Sequence, residues 1–131
     1  MSICYEDAFG AEIIQALPDA AYLINASNDA WFGDSLAPYQ HLQIARMRAL
    51  ETGRYLLRST NTGISAIVGP KGELQARSPL MAVDVLKGEI QPMVGATPYV
   101  LLGNHAILAL LLVSLMIGFP CANRKSAESD N

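Results

Sequence analysis

Residues 99–119 read YVLLGNHAILALLLVSLMIGF, a run of 21 residues with no Asp, Glu, Lys or Arg. A bilayer core needs about 20 residues at helical rise, so this stretch predicts a membrane span. Asn104 and His105 fall in its first turns, where headgroups and water still reach them. From Ala106 to Ile117 the run is apolar except for Ser114, whose hydroxyl bonds back to its own helix. The charge-free region is wider than the span, extending from Glu89 to Arg124.

Working outward, the tail after the span reads CANRKSAESDN. Arg124 and Lys125 at the membrane edge place the C-terminus in the cytoplasm and residues 1–98 on the far side, the periplasm where there is an outer membrane. Cys4 and Cys121 then lie on opposite sides of a core about 30 Å thick. A disulfide needs Cα atoms within about 7 Å, so Cys4 is expected to be a free thiol. The chain of 131 residues is 51% hydrophobic and 16% charged, with a net charge of −3. That balance argues against nucleic acid as a partner, because phosphate binding needs clustered Lys and Arg.

Upstream of the span the pattern alternates. Asp7 is positioned to cap a helix over 8–17 that Pro18 closes, and the apolar run 21–26 reads as a buried strand. A loop over 27–34 carries Trp31 and Phe32. Ser35 is a candidate N-cap for a helix over 36–52, with Pro38 in its first turn and Gly53 at its end. Ile44, Met47 and Leu50, with Leu42, Ala45 and Ala49, give that helix a broad face for a sheet. Strands are expected over 55–59 and 65–68, then over 73–76 after the turn Gly69-Pro70-Lys71-Gly72, and again over 81–86. Strand, helix, strand, helix and a run of strands make a layered α/β domain.

Two features stand out for chemistry. Cys4 ends a short strand-like run just before a predicted helix, a place where a nucleophile is presented above a sheet and where a helix N-terminus favours thiolate. Glu6 is two residues on, on the same face if the segment is extended; its charge equally suits the start of the next helix. Trp31 and Phe32 are suited either to an acyl chain or membrane surface, or to folding back on the core. Glu51 has Arg48 and Arg54 at i,i+3 spacing. His41 lacks a partner at metal-ligand spacing and no glycine-rich phosphate loop follows a strand, so neither metal nor cofactor is expected.

The segments ICYEDAF (Ile3 to Phe9), NASNDAWFGDS (Asn25 to Ser35), QHLQIARMRALETGR (Gln40 to Arg54) and RSTNTGISAIVGPKG (Arg58 to Gly72), in this order and followed by a span, resemble the apolipoprotein N-acyltransferase branch of the nitrilase (carbon–nitrogen hydrolase) superfamily. The resemblance covers nearly the whole chain. It implies the C-terminal part of a nitrilase-like α-β-β-α sandwich followed by one transmembrane helix. The corresponding division is a partial nitrilase-like domain over 1–88, a linker over 89–98, the membrane helix over 99–119 and a cytoplasmic tail over 120–131.

The activity implied is acyl transfer in lipoprotein maturation in the bacterial inner membrane. A cysteine takes a fatty acyl chain from a phospholipid donor as a thioester, then yields it to the amine of an S-diacylglyceryl cysteine on an apolipoprotein acceptor. Cys4 matches the nucleophile, Tyr5 and Glu6 match its essential neighbours, and Trp31 and Glu51 match further substrate-binding or supporting positions. The resemblance also assigns a glutamate and a lysine ahead of the cysteine, whereas only three residues precede Cys4. The expectation is therefore of a fragment that does not transfer acyl chains by itself. A nitrilase-type amide hydrolase and an inactive membrane-anchored remnant are the alternative readings.

Overall fold

The computed structural model describes the backbone of residues 1–128 and the side chains of residues 1–117. Cys121, Arg124 and Lys125, on which the topology reading rests, have side chains outside the described residues. The chain divides into two units, Met1–Leu101 and Leu102–Asn131.

The first unit is built on one mixed sheet of five strands in chain order. Strands β1 (Ser2–Ile3), β2 (Leu23–Ser27) and β3 (Leu56–Thr60) run parallel, and β4 (Ala66–Val68) and β5 (Leu74–Arg77) return antiparallel. Helix α1 (Gly10–Ile13) lies between β1 and β2, and α2 (Ala37–Thr52) between β2 and β3. The α/β class predicted from the alternating pattern is the one observed.

The sheet's two faces follow from the period-2 alternation of its strands. Leu23 pairs in register with Leu56, and Leu56 with Val68. These three, with Ala66, pack against Leu42, Ala45 and Ala49 of α2 to form the core. Small alanines at two of the three helix positions let α2 lie close to the sheet. On the opposite face Ile24, Leu57 and Ile67 border an open groove that residues 84–88 partly line.

Several local expectations hold. Gly53 ends α2 with φ 62, where a side chain would be strained, and its N–H caps the helix through Ala49 and Leu50 carbonyls. Ser35, however, is not the N-cap expected of it: Leu36 takes that position without a side-chain cap, and the Ser35 hydroxyl accepts the Ala37 N–H from one residue further out. The Gly69–Gly72 turn closes the β4–β5 hairpin, with Gly72 at φ 76. The predicted helix over 8–17 is instead broken into a 3-10 turn (Cys4–Ala8), α1 and a second 3-10 turn (Ile14–Ala16). Asp7 does not cap it; its carboxylate is fully buried and committed elsewhere. The strand expected over 81–86 is absent: those residues form no ladder, and the Asp84 carboxylate accepts its neighbour's N–H instead.

The expected single helix over 99–119 is divided. Helix α3 (Pro98–Leu102) ends at Gly103, which turns at φ 53, and α4 (His105–Glu128) begins two residues later. Gly103 and Asn104 are poor helix formers side by side, and His105 Nδ1 reaches the Leu102 carbonyl at 3.1 Å across the break. Every side chain from Asn104 to Ile117 is exposed. Among the described residues no helix is long and apolar enough to cross a membrane.

Candidate active site

A row of polar side chains crosses the three parallel strands, two residues beyond the core positions Leu23 and Leu56. Ser2, Asn25 and Arg58 occupy one register across β1, β2 and β3. They hydrogen-bond along that row: Asn25 Nδ2 donates to Ser2 Oγ at 3.1 Å, and Arg58 Nη1 donates to Asn25 Oδ1 at 2.6 Å. An arginine in a buried strand position requires charged partners. Arg58 has two, Asp29 Oδ2 at 2.9 Å and Asp7 Oδ2 at 3.4 Å.

The remaining oxygens of both carboxylates face one imidazole. His41, in the first turns of α2, places Nε2 at 3.0 Å from Asp7 Oδ1 and Nδ1 at 3.1 Å from Asp29 Oδ1. The side chains of Asp7, Asp29 and Arg58 are all fully buried. Burial by itself lowers the histidine pKa, and the Arg58 charge acts the same way. The hydrogen bond His41 donates to Asp7 and the charges of Asp7 and Asp29 act against them, and the balance leaves His41 above its ordinary 6.5. A protonated imidazole donates from both nitrogens, which the two carboxylates require. The cluster thus gathers two carboxyl groups, one guanidinium and one imidazole.

Cys4 stands at the edge of this cluster. It is the first residue after β1, half-buried, and adopts φ 51, a left-handed conformation uncommon for a side-chain-bearing residue. Its carbonyl accepts from Asn25 Nδ2 at 3.0 Å, and its Sγ lies 3.7 Å from Ser27 Oγ. Ser27 Oγ in turn is 2.6 Å from Asp29 Oδ1. The thiol is thus tied through Ser27 and Asp29 to the buried charges. The parallel strands converge here, at the carboxyl edge where open α/β sheets place their sites.

The structure distributes the other sequence candidates differently. Glu6 does not share an extended face with Cys4, because Cys4–Ala8 is a 3-10 turn. Its carboxylate folds back to accept the Ile3 N–H at 2.7 Å and so braces the turn. Tyr5 is 54% exposed, packs edge-on against Phe9, and tilts over the His41 ring at a centroid distance of 5.9 Å. Trp31 projects from the loop after β2 and is 89% exposed, so it does not fold back on the core. Glu51 makes its contacts apart from Cys4: Arg48 Nη2 lies 3.0 Å from its carboxylate, and its carbonyl accepts from Thr97 Oγ1. Arg54 is spent on the carbonyls of Pro18, Ala20 and Gly95. Among the described residues no group of His, Cys, Asp and Glu could hold a metal ion.

Asn25, Ser27, Asp29, His41, Arg58 and Asp7 were not singled out as functional from the sequence. Each nevertheless lies inside one of the four quoted segments, and together they bring all four to one point.

Residues 1–99 match the carbon-nitrogen hydrolase family. The chain is 52% identical over 128 residues to the apolipoprotein N-acyltransferase of Methylococcus capsulatus, covering 98% of this chain and 25% of that protein. It is 52% identical over 118 residues to the protein of the same name from Nitrosomonas europaea, covering 90% of this chain and 24% of that one. The corresponding Haemophilus influenzae protein is 50% identical over 117 residues, covering 88% and 22%. The chain spans about a quarter of the length of these relatives. By its sequence match over the unit that holds Cys4, the chain belongs to the carbon-nitrogen hydrolase family.

Proposed function

We propose that this chain carries the nucleophile-bearing part of an apolipoprotein N-acyltransferase. The observation that carries the reading is Cys4 itself. It is a free thiol held in a left-handed turn at the carboxyl end of β1 and backed by a buried charge cluster, in a chain about half identical to proteins of that name. In the first half-reaction the Cys4 sulfur attacks the ester carbonyl of a phospholipid. The C–O bond breaks, lysophospholipid leaves with the proton, and the acyl chain remains as a thioester. In the second, the α-amino group of an S-diacylglyceryl cysteine attacks, the C–S bond breaks and the thiol is regenerated. Splitting the exchange in this way replaces one hard displacement by two easier ones.

Within this reading Glu6 and Tyr5 support the nucleophile's turn, the first by holding the Ile3 N–H and the second by covering His41. Trp31 offers a bare indole to an acyl chain. Glu51 supports the scaffold through Arg48. The base and the oxyanion donor are, on the family resemblance, a glutamate and a lysine ahead of the cysteine. Residues 99–119 anchor the chain in the bacterial inner membrane, with the catalytic unit periplasmic. Support comes from the charge-free run and from the exposure of Leu110, Leu111, Leu112 and Val113, four successive residues that go fully round α4.

The test is a chimera in which this chain replaces the matching quarter of the Methylococcus capsulatus relative. It should rescue a strain depleted of its own N-acyltransferase and yield triacylated lipoprotein by mass spectrometry. Failure of a stably expressed chimera to make that product would refute the proposal.

A further inference from the structure

We infer that Ser27 is a positioning residue for Cys4, a hydroxyl that turns between Asp29 and the sulfur as the thiol gains and loses its proton. The inference rests on the reading of Cys4 as nucleophile and goes beyond it by naming the group that holds the sulfur.

The geometry gives Ser27 two claims on one proton. Its oxygen lies 2.6 Å from Asp29 Oδ1 and 3.7 Å from Cys4 Sγ, and a serine hydroxyl has a single hydrogen with two lone pairs. When Cys4 is a thiol, the Ser27 proton goes to the carboxylate, and the Ser27 oxygen accepts the Cys4 S–H. When the sulfur gives up its proton to a base, it has nothing to donate and needs a donor. The hydroxyl then turns and donates to the thiolate.

Asp29 tolerates that loss because it is held independently. Its Oδ1 keeps His41 Nδ1 at 3.1 Å, its Oδ2 keeps Arg58 Nη2 at 2.9 Å, and its backbone N–H donates to Asn61 Oδ1 at 3.2 Å. The charged and titratable groups around the switch are Asp29 and Asp7, His41 on α2 and Arg58 on β3, with Tyr5 over the imidazole. Asn25 fixes the Cys4 carbonyl at 3.0 Å, so the sulfur cannot drift from Ser27 by rotation of its own backbone. A donor aimed at a thiolate favours the ionised form. Leaving the same task to water would cost order at each turnover.

The experiment uses the complete chain in bicelles, alkylated with iodoacetamide across pH and followed by peptide mass spectrometry at Cys4, with Cys121 as an internal reference. Ser27→Ala should slow Cys4 alkylation at pH 7 about tenfold, the loss of one hydrogen bond to a charged group. It should also move the rising limb of the profile to higher pH. Ser27→Thr, which keeps the hydroxyl, should restore both. A purely structural Ser27 would leave the position of the limb unmoved, and an unmoved limb overturns the inference.

A second measurement needs no change at Ser27. In Cys121→Ser the Cys4 S–H Raman band should lie at the low frequency of a hydrogen-bonded thiol, and a band at the free-thiol position also overturns the inference. Whether Cys4 is the nucleophile is read separately, by acyl adducts on the chimera with Ser27 intact. Adducts on Cys4 together with an unmoved limb would sink the role of Ser27 alone. A moved limb with no adduct would sink the nucleophile reading alone.

Discussion

His41 Nε2 lies 3.0 Å from Asp7 Oδ1, so the first turns of α2 are tied directly to the turn that carries Cys4. The helix is thereby more than packing for the sheet. Its apolar residues Leu42, Ala45 and Ala49 enter the core, while the residue just before them enters the site.

This contact makes stability depend on pH in a defined direction. The folded pKa of His41 is raised above its unfolded value near 6.5. Its contribution is therefore fully present below that value and is lost as pH rises through the folded pKa. Thermal melts of the chain should show falling stability above pH 6.5. In His41→Gln that component should be missing, and parallel curves for the two proteins would contradict the assignment.

Arg58→Leu removes the guanidinium from between two buried carboxylates. Breaking such a cluster by deleting one member costs about 3–5 kcal/mol, because the remaining charges stay buried without compensation. Denaturant titration should show a lower midpoint with an unchanged slope. A loss below about 1 kcal/mol would mean that the carboxylates are not held as charged partners.

Gly63 tests the same cluster from the loop after β3. A Cβ built there would stand 2.8 Å from Cβ of Asp29 and would also meet its carboxylate. Gly63→Ala must push Asp29 away from His41 and Arg58. A destabilisation of about 1–3 kcal/mol is expected, together with a weaker pH dependence than the parent chain. Neutral behaviour would show that Asp29 has room to move.

Trp31 should behave in the opposite way. A ring that is 89% exposed contributes little to the core, so Trp31→Ala should change stability by no more than about 0.5 kcal/mol. In the chimera it should nevertheless lower the rate of acyl transfer. Stability loss with intact activity would return Trp31 to a packing role.

The sequence made the scaffold legible where its patterns are local. The β2, α2, β3, β4 and β5 segments lie within a residue or two of their expected bounds, because apolar alternation, Gly53 and the Gly69–Gly72 turn are short-range signals. The buried cluster was not legible, since Asp7, Asp29, His41 and Arg58 are separated by up to 51 residues and meet only when the sheet forms. Asp7 and Asp29 looked like cap and loop residues, and His41 looked isolated. The weak clue was that each of the four quoted segments carries one of these residues: Asp7, Asp29, His41 and Arg58 in turn. The break at Gly103 was hidden for a different reason: hydropathy averages over a window and passes smoothly across one glycine and one asparagine.

The most direct measurement is the mass of the Cys4 peptide after the chimera is incubated with phospholipid and no acceptor. The account predicts an acyl adduct on Cys4 that hydroxylamine removes, that is discharged when an S-diacylglyceryl peptide is added, and that is missing in Cys4→Ala. Lipoprotein acylation that continues in Cys4→Ala, or an acyl chain found on another residue, would contradict it.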